Sequence, residues 1–210
     1  MNQADTIRVL LVDDHPIFAQ GLALLLRSEP NMTVIGHSHS GAEAIALFRQ
    51  YQPDVTLMDL RMPDMGGVEV IEAIRTEFPT ARILVLSIHD SDEWIYQAIQ
   101  AGAKGFLLKD VQPAALVNAI HTVYQDQLYL PAPISEKLVR RMTAPELSER
   151  EREVLRLMAK GKNNAQISAE LHVAESTVRF HTGHIFNKLG VGDRTQAVLV
   201  AIQRGIVQLW

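Results

Sequence analysis

DVTLMDLRMPDMGG, residues 54–67, opens on a short apolar run, ends that run at Asp59 and passes into a loop containing Pro63 and Gly67. A run this short and without alternation suits a parallel strand buried on both faces rather than a half-wet one. Three further runs share the design: Ile7 to Val12 (IRVLLV), Arg82 to Leu86 (RILVL) and Gly105 to Leu108 (GFLL). Each also ends in polar groups, namely Asp13 with Asp14, Ser87, and Lys109. Between the runs, Gly21 to Leu26, Ala42 to Tyr51, Val68 to Glu77 and Trp94 to Ala101 carry apolar residues at three- and four-residue spacing, so strand and helix alternate. Right-handed crossovers put the strand ends on one edge, and in open sheets of this kind ligands bind beyond those ends, where the strand order switches. The spacing therefore predicts one pocket, suited to phosphate and metal, built from four strand ends.

Composition narrows the classes. With no cysteine, disulfide scaffolds, thiol chemistry and thiolate metal sites are excluded. No apolar stretch reaches the ~18 residues that span a bilayer, and MNQADTIR lacks a signal-peptide core, so the expectation is a cytoplasmic protein without a membrane partner. Lys and Arg against Asp and Glu give −7 over residues 1–125, 0 over 126–147 and +3 over 148–210, which suggests a metal-binding or regulatory module joined to one that meets a polyanion. The boundary lies in DQLYLPAPIS, where Pro131 and Pro133 stop regular structure. The reading is a first domain over 1–125, a linker over 126–146 holding one short helix around Glu136 to Met142, and a second domain over 147–210.

Two adjacent carboxylates such as Asp13 and Asp14 repel unless a cation lies between them or they face water. An isolated pair would read as a solvated loop with Asp14 capping the helix that begins at Pro16. Asp59 at the end of the neighbouring strand adds a third carboxylate, and oxygen ligands of this kind, with water and phosphate oxygens, suit Mg2+. Carboxylates can also act as nucleophiles toward phosphoryl groups, with Lys109 and a cation compensating charge and Ser87 donating a hydroxyl.

VDDH, LMDLRMPDMGG, the Ser ending LVLS and FLLKD together resemble, in order and spacing, the receiver domain of bacterial two-component response regulators, over residues 5–125. That resemblance implies a doubly wound α/β fold with a five-stranded parallel sheet of flavodoxin-like type. It implies Asp59 as phosphoacceptor, and Mg2+ on Asp14, Asp59 and the main-chain carbonyl of Arg61. Asp13 would complete the acidic pair, Ser87 and Lys109 would contact the phosphoryl group, and Phe106 would be an aromatic whose rotamer follows Ser87. Read without the resemblance, Phe106 is a core residue. Haloacid-dehalogenase-type phosphatases also use a strand-end Asp, but they need an acidic residue two positions on, where this chain has Arg61. No G-x-G-x-x-G turn or P-loop is present, which argues further against a multiple-turnover phosphatase, a dehydrogenase or a nucleotidase. The eight histidines read as surface or packing residues, His37 with His39 and His181 with His184 lacking partners for a zinc site.

From Leu147, Ser148 and Glu151 form a capping-box signature before an apolar face of Val154, Leu155, Leu157 and Met158 that ends at Gly161. Helices at about Asn164 to Leu171 and Glu175 to Leu189, separated by His172 to Ala174, form a helix-turn-helix, and a fourth helix spans about Arg194 to Arg204. The second domain is thus a small all-α unit of four helices. On its third helix Val178, Thr182, Ile185 and Leu189 share one side, leaving Ser176, Phe180, Gly183 and Asn187 outward, flanked by Arg179 and His184. An outward Phe180 could meet thymine methyls in a major groove, with Arg179 on a base edge or phosphate, or could pack on another protein surface.

LSEREREVL, the KG-x-x-N-x-x-I-S-x-x-L run and ESTVR-x-H resemble the LuxR/NarL-type DNA-binding domain over about residues 146–207. The whole chain is similar to response regulators of the NarL/FixJ type, with a sensor histidine kinase or small phosphodonor, double-stranded promoter DNA and a second copy of the chain as implied partners. Carried over, Arg179, Phe180 and Gly183 take base-contacting positions, with Lys162, Thr177 and Lys188 on the backbone. Gly183, Ala165 and Glu170 depart from the usual cationic pattern. Fewer cationic contacts predict weak DNA binding by one copy and a shallow salt dependence. They also leave open a protein-interaction module whose helix-turn-helix no longer reads DNA.

Overall fold

A computed structural model describes residues 6–204 together with 206 and 207. The chain divides into two compact units, Met1–Val139 and Arg140–Trp210.

The first unit holds strands β1 (Ile7–Val12), β2 (Met32–Ser38), β3 (Val55–Met58), β4 (Ile83–Ser87) and β5 (Gly105–Leu108) in one sheet of order β2-β1-β3-β4-β5, every pair parallel. Helices α1 (Pro16–Arg27), α2 (Gly41–Tyr51), α3 (Gly67–Glu77), α4 (Asp92–Gln100) and α5 (Pro113–Tyr124) connect and follow the strands. Alternation along each strand sends Leu10, Val12, Met58, Ile83, Val85 and Phe106 into a core with α2, α3 and α4. Val9, Leu11, Val55, Leu57, Leu84, Leu86 and Leu107 enter a second core with Leu22 and Leu26 of α1 and Leu116, Ile120 and Val123 of α5. Both faces are therefore covered, which is why the strands read as continuous apolar runs. Each side chain so enclosed contributes roughly 1.5–3 kcal/mol against leaving it in water.

β2 departs from that pattern. Only Met32 and Ser38 of MTVIGHS are buried, Thr33 is exposed, and its register against β1 shifts between Val9 and Leu10. An edge strand with one wet side carries the mixed composition that hides it among apolar runs.

The proline-rich segment leads into α6 (Ala132–Thr143), and the division between the units falls within this helix. Its first part belongs to the sheet's core through Ile134 and Leu138. The second unit contains α7 (Glu149–Ala159), α8 (Asn164–Leu171), α9 (Glu175–Leu189) and α10 (Arg194–Gln203). Val154, Leu155 and Met158 of α7, Ile167 of α8, Val178, Ile185 and Leu189 of α9, and Ala197 and Ala201 of α10 make its core. Ser148 caps α7 by accepting from the Glu151 N–H while the Glu151 carboxylate accepts from the Ser148 N–H, the reciprocal pair expected from the sequence. Among the described residues no helix is long and apolar enough to cross a membrane.

Candidate functional site

The switch in strand order falls between β1 and β3, whose ends carry Asp13 and Asp59. The ladder runs one step past the strands into the site: Asp13 N–H donates to the Ser38 carbonyl (3.0 Å), Asp59 N–H to Val12 (2.9 Å) and Lys109 N–H to Ser87 (2.9 Å). Backbone pairing thus fixes the polar side chains before any of them touch.

They meet around Lys109. Its Nζ stands 2.7 Å from Asp13 Oδ2 and 2.6 Å from Asp59 Oδ2, and all three side chains are almost wholly enclosed. The Phe18 ring lies beside the ammonium, 4.8 Å from Nζ to the ring centre. One ammonium cannot neutralise Asp13, Asp14 and Asp59 together, so the site is short of positive charge where charge is costly. His15 stands in the same cluster, its Nδ1 2.7 Å from Asp14 Oδ1, 3.3 Å from Asp13 Oδ1 and 3.8 Å from Asp59 Oδ2. The Asp14 contact lacks hydrogen-bond alignment, so Asp14 Oδ1, shielded from solvent, has no hydrogen-bond donor. An orphaned carboxylate oxygen among oxygen donors fits a hard divalent cation, and Asp13, Asp14, His15 and Asp59 bring one ligand atom each within 4.8 Å of one another.

Asp14 does not cap α1. The N-cap residue is His15, without a side-chain cap bond, and it is Asp13 Oδ1 that accepts the His15 N–H at 2.9 Å. Beyond the carboxylates, Asp59 Oδ1 accepts a long bond from Arg61 N–H (3.3 Å), and Ser87 Oγ accepts from His89 N–H (2.9 Å). The Arg61 guanidinium and the His89 ring meet at 3.2 Å. Phe106 is fully buried in the core, paired in register with Val85. The loop after Asp59 turns back so tightly that a Cβ on Gly67 would lie 2.2 Å from the Asp59 carbonyl oxygen and 2.6 Å from Leu60 Cα. Only glycine starts α3 there without moving the peptide that carries Asp59. Sequence reading grouped Asp13, Asp14, Asp59, Ser87 and Lys109 but passed over His15, although its place directly after the acidic pair in VDDH was the available signal.

In the second unit Val178, Ile185 and Leu189 are buried and Thr182 half-buried, while Ser176, Arg179, Phe180, Gly183 and Asn187 are exposed. Phe180 packs on the His184 ring at 4.2 Å between centres. The cations are partly engaged at home. Arg179 pairs with Glu175 at 2.7 Å, and Lys162 pairs with Glu170. Lys188 Nζ donates to the Glu146 carbonyl (3.0 Å) and to Glu151 Oε2 (2.8 Å), so it ties α9 to the start of α7. Thr177 is half-buried, its N–H donating to the Ala174 carbonyl at the turn.

A doubly wound sheet with a lysine-bridged acidic cluster at its switch point, joined to a four-helix unit with a helix-turn-helix, defines a signal receiver coupled to a nucleic-acid-binding module. The chain belongs to the response regulators: residues 9–121 match the response regulator receiver domain and residues 145–201 the LuxR family of bacterial regulatory proteins, a family of transcription regulators. It is 39% identical over 212 residues to the probable transcriptional regulatory protein NarL of Mycobacterium tuberculosis, covering 98% of each chain. It is 34% identical to the transcriptional regulatory protein DegU of Brevibacillus brevis, covering 97% of this chain and 96% of that one. Among solved structures, the response regulator RcsB in complex with DNA aligns with a TM-score of 0.80 at 25% identity, over 95% of this chain and 99% of that one. The response regulator ChrA of a heme-sensing two-component system aligns with a TM-score of 0.58 at 33% identity, over 96% and 98%.

Proposed function

We propose that Asp59 is the phosphoacceptor of this response regulator and that its phosphorylation governs dimerisation and sequence-specific DNA binding by the second unit. The phosphoryl group comes from a partner sensor histidine kinase or a small phosphodonor in the cytoplasm. The observation that carries this reading is the lysine bridge, with Lys109 Nζ 2.6 Å from Asp59 Oδ2 inside an enclosed, charge-deficient cluster.

In the transfer, an Asp59 carboxylate oxygen attacks phosphorus and forms the acyl phosphate as the bond from phosphorus to the donor breaks and the donor leaves with its electron pair. Lys109 then faces phosphoryl oxygens instead of two carboxylates, and Ser87 lies in place to donate its hydroxyl. Mg2+, held by Asp14, Asp59 and the Arg61 main-chain carbonyl, would supply the positive charge that the cluster lacks and screen the incoming phosphate. Arg61 offers no acid at the position where a phosphatase needs one, so the group is stored rather than turned over. Phe106 follows Ser87 inward or outward and passes the change to the receiver's surface, shifting a population rather than catalysing a reaction.

On DNA, Arg179, Phe180 and Gly183 address base edges, and Ser176, Thr177, Asn187 and, once Glu170 releases it, Lys162 the flanking groove and backbone, whereas Lys188, the remaining backbone candidate, is engaged by Glu151 and Glu146; a second copy on a two-fold site supplies affinity that one copy lacks. The test is to incubate the full chain with Mg2+ and acetyl phosphate and measure the mass gain of one phosphoryl group. Asp59→Asn should abolish it; equal labelling of the variant would remove Asp59 from the role. Selection of bound fragments from random genomic DNA should enrich one motif, and enrichment of none would favour a protein-interaction module instead.

A further inference from the structure

We propose that His15 is a metal ligand of the acidic cluster, so that the site accepts borderline divalent ions such as Co2+ and Ni2+ with an imidazole nitrogen as well as taking Mg2+ through oxygen alone. The proposal rests on the reading above that this cluster holds a divalent cation, and adds to it the identity of a ligand and a preference among metals.

Three observations converge on the ring. Ser, Thr, Asp or Asn at a helix N-cap ordinarily spends its side chain on a backbone N–H of the first turn. His15 occupies the N-cap of α1, ahead of Pro16, and makes no such bond. Its Nδ1 is instead turned onto the carboxylates, at 2.7, 3.3 and 3.8 Å from oxygens of Asp14, Asp13 and Asp59. Ligand atoms that share one ion at about 2.0–2.2 Å each stand roughly 3–4 Å apart, and those spacings fall close to that range. Asp14 Oδ1, the oxygen closest to the ring, is the one left without a hydrogen bond.

The chemistry sets the preference. Mg2+ takes hard oxygen ligands and surrenders its water reluctantly, whereas imidazole suits later first-row ions, whose affinity for nitrogen-containing sites rises along the series from Mn2+ through Co2+ to Ni2+. With Lys109 an ammonium paired to Asp13 and Asp59, His15 is the nitrogen donor that the described cluster offers.

The test uses the full chain, stripped of metal and held at one mildly alkaline pH. Wild type, His15→Ala and His15→Gln are each titrated with Mg2+ and with Co2+ by calorimetry, and the visible absorption of bound Co2+ is recorded. The expected result is a loss of about tenfold or more in Co2+ affinity in both variants, with Mg2+ affinity kept within about threefold and the Co2+ spectrum shifted toward an all-oxygen field. Equal losses for the two ions, or no loss for Co2+, would overturn the role of His15 and leave the cation site standing. If wild type bound neither ion, the cation site itself would fall, and this proposal with it. Co2+ binding that survived in the double variant Asp13→Asn, Asp59→Asn would place the ion on other histidines and also overturn it.

Discussion

Replacing Lys188 by methionine keeps most of the side-chain stem and removes the ammonium that holds Glu151. The Glu151 side chain is 4% exposed and Lys188 is 27% exposed. Breaking a fully buried pair costs about 3–5 kcal/mol, whereas exposed pairs are worth about 0–1 kcal/mol. Here one partner is enclosed, the other reaches water, and Glu151 keeps the Ser148 N–H at 2.7 Å, so about 2 kcal/mol is expected. Burial pushes the Glu151 carboxyl up, but the Lys188 ammonium and the Ser148 donors outweigh it and hold it below the ordinary carboxylate value. A carboxyl depressed in the folded state stabilises the fold above the unfolded value of about 4.3 and loses that contribution as pH falls through the folded one. The gap between wild type and Lys188→Met should therefore be full at neutral pH and close in acid. Urea unfolding of the full chain, with hydrogen exchange followed in peptides from α7 and α9, measures it in the right unit. The same variant separates two roles for Lys188, because a phosphate contact contributes about 0.9 to the slope of log affinity against log salt. Since Lys188 is spent on Glu151 and Glu146, its loss should leave that slope unchanged. A stability change below about 0.5 kcal/mol at neutral pH, or a slope reduced by about 0.9, would refute the reasoning.

Glu170→Gln should release Lys162 for DNA, steepening the salt slope by about 0.9 while moving stability by no more than about 0.5 kcal/mol, since the pair is exposed; an unchanged slope would show that Lys162 stays away from phosphate. At Gly183 a Cβ meets nothing within 4 Å, so Gly183→Lys should stabilise α9 by about 0.5–1 kcal/mol and tighten DNA binding at low salt, as filter binding and thermal melts would record. The Asp64 carboxylate accepts the Ala42 N–H at 3.0 Å and the Gly41 N–H at 2.8 Å, bonds that hold it below its ordinary value. That anchor is present above about pH 4 and lost as pH falls through the folded value, so Asp64→Ala should speed amide exchange at Gly41 and Ala42 at neutral pH and have no further effect in acid.

What could be read from the sequence followed the physics of each segment. β1, β3, β4 and β5 declared themselves because covering both faces of a sheet leaves few polar positions inside a strand, Arg8 of β1 and Thr56 of β3 being exceptions, and their polar terminators marked the site. β2 carried no such mark: at the edge, Thr33, Gly36 and His37 dilute the run, and only the family resemblance required a fifth strand there. On α9, helical spacing separated the buried Val178, Ile185 and Leu189 from the outward Phe180 and Gly183. It could not show that Lys188 is claimed by a glutamate 37 positions away in the chain, because a pairing across helices leaves no local pattern. His15 differs, since Asp13 and Asp14 beside it in VDDH were a local signal and only its approach to Asp59 depends on another strand.

The lysine bridge also bears on the order in which the chain can acquire its shape. Asp13, Asp59 and Lys109 directly follow β1, β3 and β5, and Lys109 follows Asp59 by 50 residues. As the chain emerges from synthesis amino end first, β1 and β3 can align while their enclosed acids still lack a counter-ion. Short of a bound cation, that repulsion eases when β5 arrives, so the last strand made brings the counter-charge that the earlier ones lack.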